Sequence, residues 1–77
     1  MFKELDTVVF THSIDKFKLE KGDIGTIVHN YEDGRAVEVE VVRADGRTVA
    51  VITLEPKDIR NITSDEILKV REFATIN

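Results

Sequence analysis

The sequence predicts an all-β fold, a small five-stranded barrel with a short C-terminal helix or extra edge strand, and three features carry that expectation. The chain has 77 residues, a length that sustains one hydrophobic core and not two. Its apolar residues fall in short β-branched runs, too short for helices. Those runs are separated by glycine-centred turn signals, with a single proline in the chain. Frequent turns between short strands argue for a closed or nearly closed antiparallel sheet, because closure removes the unpaired edges that invite aggregation.

The elements follow in order. Thr7-Val8-Val9-Phe10-Thr11 reads as the first strand. Residues 12–22 are irregular, a long loop pinned to the core by Ile14, Phe17 and Leu19. The turn Lys21-Gly22-Asp23-Ile24-Gly25 leads into a second strand, Thr26-Ile27-Val28-His29-Asn30-Tyr31, and Glu32-Asp33-Gly34 reverses the chain, with Gly34 free to take positive φ. Two β-patterned runs between Ala36 and Leu54 flank Asp45-Gly46, a preferred two-residue hairpin centre. If Ala44 faces Arg47, then Val41 faces Ala50, Val39 faces Ile52 and Val37 faces Leu54 on the core side. On the other side Val42 meets Val49, Glu40 meets Val51 and Glu38 meets Thr53. Pro56 ends the fourth strand, Glu55-Pro56-Lys57-Asp58 reads as one turn, and Ile59-Arg60-Asn61-Ile62 as the closing strand.

Residues 1–62 are therefore assigned to the barrel and 63–77 to an appendage that packs on the barrel or on a partner. Thr63-Ser64-Asp65-Glu66 has the spacing of a capping box ahead of Ile67, Leu68, Val70 and Phe73, which predicts a short helix. A sixth edge strand is the alternative for the same residues.

Composition narrows the class of function. There is no cysteine, so neither a disulfide framework nor a thiolate metal site is available, and a cytoplasmic setting is expected. The first residues lack the basic start and apolar run of a signal peptide, and no stretch approaches the roughly 20 apolar residues of a membrane helix. The net charge of −4 repels phosphate backbones and favours a basic or apolar partner, although the same acidity also serves solubility.

The segments Leu5-Asp6-Thr7-Val8-Val9, Leu19-Glu20-Lys21-Gly22-Asp23-Ile24-Gly25-Thr26-Ile27-Val28, Ala36-Val37-Glu38-Val39-Glu40, Ala44-Asp45-Gly46-Arg47-Thr48 and Thr53-Leu54 together resemble the bacterial domain of unknown function 4926 family. The resemblance covers roughly residues 3–62, and its most specific part is the Gly22-Asp23-Ile24-Gly25-Thr26 turn followed by the acidic-valine strand. It implies an SH3-like barrel. It also implies an antitoxin or immunity-like role, since members occur beside candidate toxin or nuclease genes. No catalytic residues come with the family. The same glycine turn is similar to the motif of small ribosomal and transcription-factor barrels that contact RNA, though those bring basic strands where this chain has Glu38 and Glu40.

No enzyme is expected. Glu38 and Glu40 lie two apart on one strand face, roughly 7 Å between Cα atoms, but acid/base catalysis needs a cleft that separates two pKa values, and a flat hairpin offers none. His12 and His29 have no metal-ligand spacing, and Ser13 and Ser64 lie outside any nucleophile elbow. The dispersed glycines read as turn residues, not as a phosphate loop. No metal, cofactor or small-molecule substrate is implied.

Two binding surfaces remain. The first is a protein-binding face of Glu38, Glu40, Val42, Val49 and Val51 with Ile67, Val70 and Phe73 of the appendage. Its valines would be wet on a lone barrel, so the chain's own tail, a second copy in a homodimer, or a protein partner is expected to cover them. The second is an alternative nucleic-acid contact through Lys16, Phe17, Lys18 and Lys21 of the first loop, with Arg43 and Arg47 at the hairpin tip. Asp15, Glu20 and Asp23 offset that loop's charge, and Phe17 turned inward is its structural reading.

Overall fold

The structure is a computed structural model that describes residues 2–73, so the end of the expected appendage, residues 74–77, lies outside the described residues. Five antiparallel strands form one sheet: β1 (Thr7–Phe10), β2 (Ile24–Asn30), β3 (Val37–Val42), β4 (Thr48–Leu54) and β5 (Ile59–Asn61). Their order is β4-β3-β2-β1-β5. Two 3-10 turns, Asp15–Phe17 and Pro56–Asp58, complete the regular structure.

Among the described residues no α-helix lies over this sheet, yet Val8, Ile27 and Val39 are fully buried and Phe10 nearly so. A single sheet achieves that only by coiling on itself, so that alternate residues of all five strands meet inside. The core cluster takes Val8 and Phe10 from β1, Ile27 from β2, and Ile59 from β5. The long β3 and β4 supply alternating inward residues from Val37 and Leu54 to Val41 and Ala50. The result is a barrel-like all-β fold, compatible with an SH3-like barrel.

Coiling demands a close approach where β1, β2 and β3 stack. Gly25 faces Val8 in the ladder, and a Cβ built on it would lie 2.4 Å from the Val39 Cγ1 and 3.1 Å from the Glu40 carbonyl oxygen. The position therefore takes glycine for space. A bulge at Val28 follows: Ile27 pairs with Val39 but His29 with Glu38, leaving Val28 as the extra residue. Bulges sharpen local twist, and here the sheet turns where glycine lets it.

The hairpin between β3 and β4 corrects the expected turn. The Arg43 N–H donates to the Arg47 carbonyl and the Gly46 N–H to the Arg43 carbonyl, with Gly46 at φ +87. The loop therefore has Ala44, Asp45 and Gly46 at its tip, one residue more than an Asp-Gly two-residue turn. That shift alone would move every side chain of β4 to the wrong face. A bulge between Val41 and Val42 restores the expected pairs, from Val41 with Ala50 to Val37 with Leu54. Val42 consequently pairs with Thr48, not with Val49.

The long loop after β1 is pinned as its apolar residues suggest. Leu19 is buried, Ile14 and Phe17 pack against the core, and Ile14 bridges Leu19. Its start is clasped to the turn before β5: the Thr11 N–H donates to the Asp58 carbonyl, and His12 Nε2 lies 2.6 Å from Asp58 Oδ1. The other ring nitrogen, Nδ1, lies 3.0 Å from the Ser13 carbonyl oxygen. Both neighbours are acceptors, so the ring fits as the doubly protonated imidazolium.

The expected helix or edge strand over 63–73 is absent. Residues 64 and 65 form a single turn, closed by the Glu66 N–H to the Thr63 carbonyl, and residues 66–73 run on without regular structure. Half of the capping box is present, since Glu66 Oε1 accepts the Thr63 N–H at 2.8 Å, but the Thr63 hydroxyl donates to Asp65. Arg60 grips the same Glu66 carboxylate with both terminal nitrogens, at 2.8 and 2.6 Å. Farther on, Arg71 reaches Asp23 and Phe73 reaches the core. These tertiary anchors hold the chain in the irregular run observed. A helix this short has little stability of its own to oppose them.

Replacing Gly25 with alanine should lower stability by about 1–3 kcal/mol, the typical cost of overpacking a core. Urea denaturation checks it, with an unchanged midpoint contradicting the close approach.

The hydrogen bond to Asp58, then that to Ser13, raises the His12 pKa above its ordinary 6.5. Burial pushes Asp58 up, but His12 and the Glu55 N–H outweigh it and hold that carboxyl below 3.8. The raised His12 contributes fully below pH 6.5 and loses its contribution as pH rises through the folded value. The depressed Asp58 contributes above 3.8 and loses it as pH falls through its own folded value. The clasp is therefore strongest between these limits. An NMR titration should place the His12 midpoint above 6.5 and return it toward 6.5 in Asp58→Asn.

Candidate functional site

The outer face of β2, β3 and β4 is built by cross-strand pairs. Thr26, Glu40 and Val51 form one row, His29, Glu38 and Thr53 the next, and Val42 with Thr48 the edge. Val42 and Val51 are 53% and 51% exposed, and Val28 and Tyr31 each 39%. Glu38 and Glu40 are half-buried among them. The Thr48 hydroxyl donates to Glu40 Oε2 at 2.9 Å, fixing one carboxylate between the two valines' rows. His29 packs edge-on against Tyr31, ring centroids 4.6 Å apart. Partial desolvation first, then the Glu38 carboxylate beside it, push the Tyr31 phenol above its ordinary 10. The phenol therefore stays neutral, an amphipathic tip in an apolar and acidic face.

The structure brings together Glu38, Glu40, Val42 and Val51 of the expected protein-binding residues. Val49 leaves the set. As the bulged residue of β4 it is half-buried and packs against the core. Among the described residues of the appendage, Ile67, Leu68 and Val70 do not cover this face: Ile67 and Val70 are 92% and 93% exposed and Leu68 65%. Phe73 alone of that group packs against the core. None of His29, Tyr31 and Thr53 is assigned to the binding face from sequence. Thr53 faced Glu38 in the expected register, but nothing in the sequence of β2 marks the bulge that turns Val28 and His29 to the same side.

Residues 66–73 instead form a strap that runs past Val9 and Ile62 and ends beside the β3–β4 hairpin, where Val42 lines the same cleft as Phe73. Val9 alternates with the inward Val8 and Phe10, yet is only 6% exposed. A groove there is walled by Val9, Ile24 and Ile62 on one side and Ile67 and Leu68 on the other. At the barrel's end Phe73 shares a cleft with Leu19, Val41 and Val49. Between these, Arg71 Nε donates to Asp23 Oδ1 at 2.7 Å and Nη2 to Asp23 Oδ2 at 2.5 Å. Burial pushes Asp23 up, but the guanidinium and the Glu20 N–H outweigh it and hold the carboxyl below its ordinary 3.8.

The alternative cationic surface is dispersed. Lys16 lies over the Phe17 ring at 5.7 Å, and Phe17 is turned inward on the core. Lys18 takes positive φ, and its carbonyl accepts from Arg71 at 3.3 Å. Lys21 borders the strap groove. Arg43 and Arg47 share Asp45, at 3.3 and 3.7 Å. Among the described residues no three His, Cys, Asp or Glu side chains gather as a metal site, and no helix is long and apolar enough to cross a membrane.

Residues 4–61 match the domain of unknown function family DUF4926. The chain belongs to that family. The match runs from just before β1 to the last residue of β5, so this DUF4926 domain is the barrel itself, and the strap lies beyond it. No curated protein and no solved structure matches the chain.

The Arg60 hydrogen bonds, then that from the Thr63 N–H, lower the Glu66 carboxyl from 4.5 to about 2. A depressed carboxyl contributes above its unfolded value and loses the contribution as pH falls through the folded one. The root of the strap should therefore stay clamped down to about pH 2 to 4.5. Carboxyl-carbon NMR should find the Glu66 midpoint near 2 and move it toward 4.5 in Arg60→Gln.

Proposed function

We propose that this DUF4926 protein is a non-enzymatic binding module that docks a protein partner on the outer face of β2, β3 and β4. One observation carries the reading: Val42 and Val51 stay half exposed beside Glu38 and Glu40, and among the described residues the apolar side chains Ile67, Leu68 and Val70 of the tail do not cover them. Exposed β-branched residues with fixed carboxylates among them fit a partner that is apolar at its centre and basic at its rim. Tyr31 adds an aromatic anchor of the kind that concentrates binding energy. An antitoxin or immunity-like inhibitor of a neighbouring gene's product is the concrete form that the family resemblance suggests, and a cysteine-free chain suits a cytoplasmic setting. The pairing of Arg43 and Arg47 to one aspartate supports a protein partner over a nucleic acid.

Co-expression with the product of the adjacent gene, followed by light scattering, tests the proposal. A hetero-complex of defined mass is expected. Within it, Glu40→Lys or Val51→Lys should weaken binding about tenfold or more, near 1.4 kcal/mol, while folding stability changes by about 0.5 kcal/mol as for other surface substitutions. A complex indifferent to both variants would move the interface elsewhere, and a lone monomer would remove the inhibitor reading.

A further inference from the structure

The strap is held to the barrel as a bound peptide is held. Residues 67–72 make no backbone–backbone hydrogen bond to it. What fixes them is one cation and one ring. The Arg71 guanidinium engages Asp23 with two nitrogens, points a third to within 3.7 Å of Glu20, and reaches the Lys18 carbonyl. The side chains of Arg71 and Asp23 are 28% and 16% exposed, so this pair is shielded from water as a surface ion pair is not. Phe73, two residues on, seats against the core in the cleft with Leu19, Val41 and Val49, its ring 6.0 Å from the Arg71 guanidinium carbon.

We infer that this groove is a peptide-binding site for a partner segment that presents, in extended conformation, an arginine followed two residues later by an aromatic ring, and that the chain's own strap occupies the site in cis. The recognition chemistry is explicit: a planar fork for a half-buried carboxylate, and an apolar ring for the barrel's open end. Ile67 and Val70 are almost fully exposed and Leu68 mostly so, and they gain little from the closed state beyond the groove edge that Ile67 and Leu68 line. Among the described residues beyond the Glu66 clamp, the Arg71 and Phe73 contacts therefore carry most of the occupancy, and those are what a competing segment must replace. This site borders the outer face of β2, β3 and β4 at Val42, but its anchoring groups, Asp23, Leu19 and Val49, are not those of the proposed interface, and it stands whether or not that face binds a partner.

A fluorescein-labelled peptide Asp-Glu-Ile-Leu-Lys-Val-Arg-Glu-Phe, matching residues 65–73, tests it against full-length protein by fluorescence polarisation. In the double variant R71A/F73A, whose strap has lost both anchors, the peptide should bind about tenfold or more tighter than in the wild type, where the strap competes at high effective concentration. Adding Asp23→Asn to the double variant should remove that gain, and so should replacing the peptide's arginine or phenylalanine with alanine. Glu40→Lys should leave it untouched. Equal binding to wild type and double variant, or none to either, overturns the inference. So does loss of the fold in R71A/F73A by circular dichroism, which would make the strap part of the barrel. Light scattering completes the test: a wild-type dimer dissolved by R71A/F73A would assign the groove to a second copy and overturn the foreign-partner reading.

Discussion

Everything in this structure depends on one sheet having to be its own second layer. A β-sheet buries a face against something, and the described residues offer neither a second sheet nor an α-helix. The strands must curl until their inner side chains meet. Val8, Phe10, Ile27 and Val39 can meet only because Gly25 lets β2 come close enough to receive the Val39 methyl group. The bulges at Val28 and in β4 add twist on either side of β3. The core's small size leaves little margin for error in that contact.

The same economy explains what lies outside. With every inward position spent on the core, the outward residues of β2, β3 and β4 are left to solvent, and several of them are not solvent residues: Val28, Tyr31, Val42 and Val51. Polar neighbours keep the face ordered, Glu40 through Thr48 and Glu38 beside Tyr31. Beside Val9 the chain lays its own strap, clamped at one end by Arg60 on Glu66 and at the other by Arg71 on Asp23. Among the described residues the strap thus occupies one flank of the barrel in cis, while Val28, Val42 and Val51 stay exposed.

Much of this was legible in the sequence because it follows from alternation and turn residues. The five strands and the core pairs of β3 with β4 are set by valines two apart and by Asp45-Gly46. The hairpin also shows how a correct register can hide a wrong turn: a three-residue loop and a bulge offset one another, so the core pairs agree while Val42 and Val49 do not. Bulges are settled by how the sheet must coil, which no local run of residues encodes. The helix expected after Thr63 failed for a related reason. Its capping spacing is real, but Arg60, Asp23 and the core hold Glu66, Arg71 and Phe73 in tertiary contacts made by an irregular run of chain. Those long-range pairs carry no local signal, so the strap groove was invisible while the acidic-valine strand was not.

The central claim is that the barrel satisfies itself inside and leaves its valine face bare. Methyl NMR of the purified protein with a soluble gadolinium chelate tests this directly. The account predicts strong relaxation of the Val28, Val42 and Val51 methyl signals and little effect on those of Val8, Ile27 and Val39. Outer methyl groups as shielded as the core's would contradict it, because something in the free protein would then already cover the face.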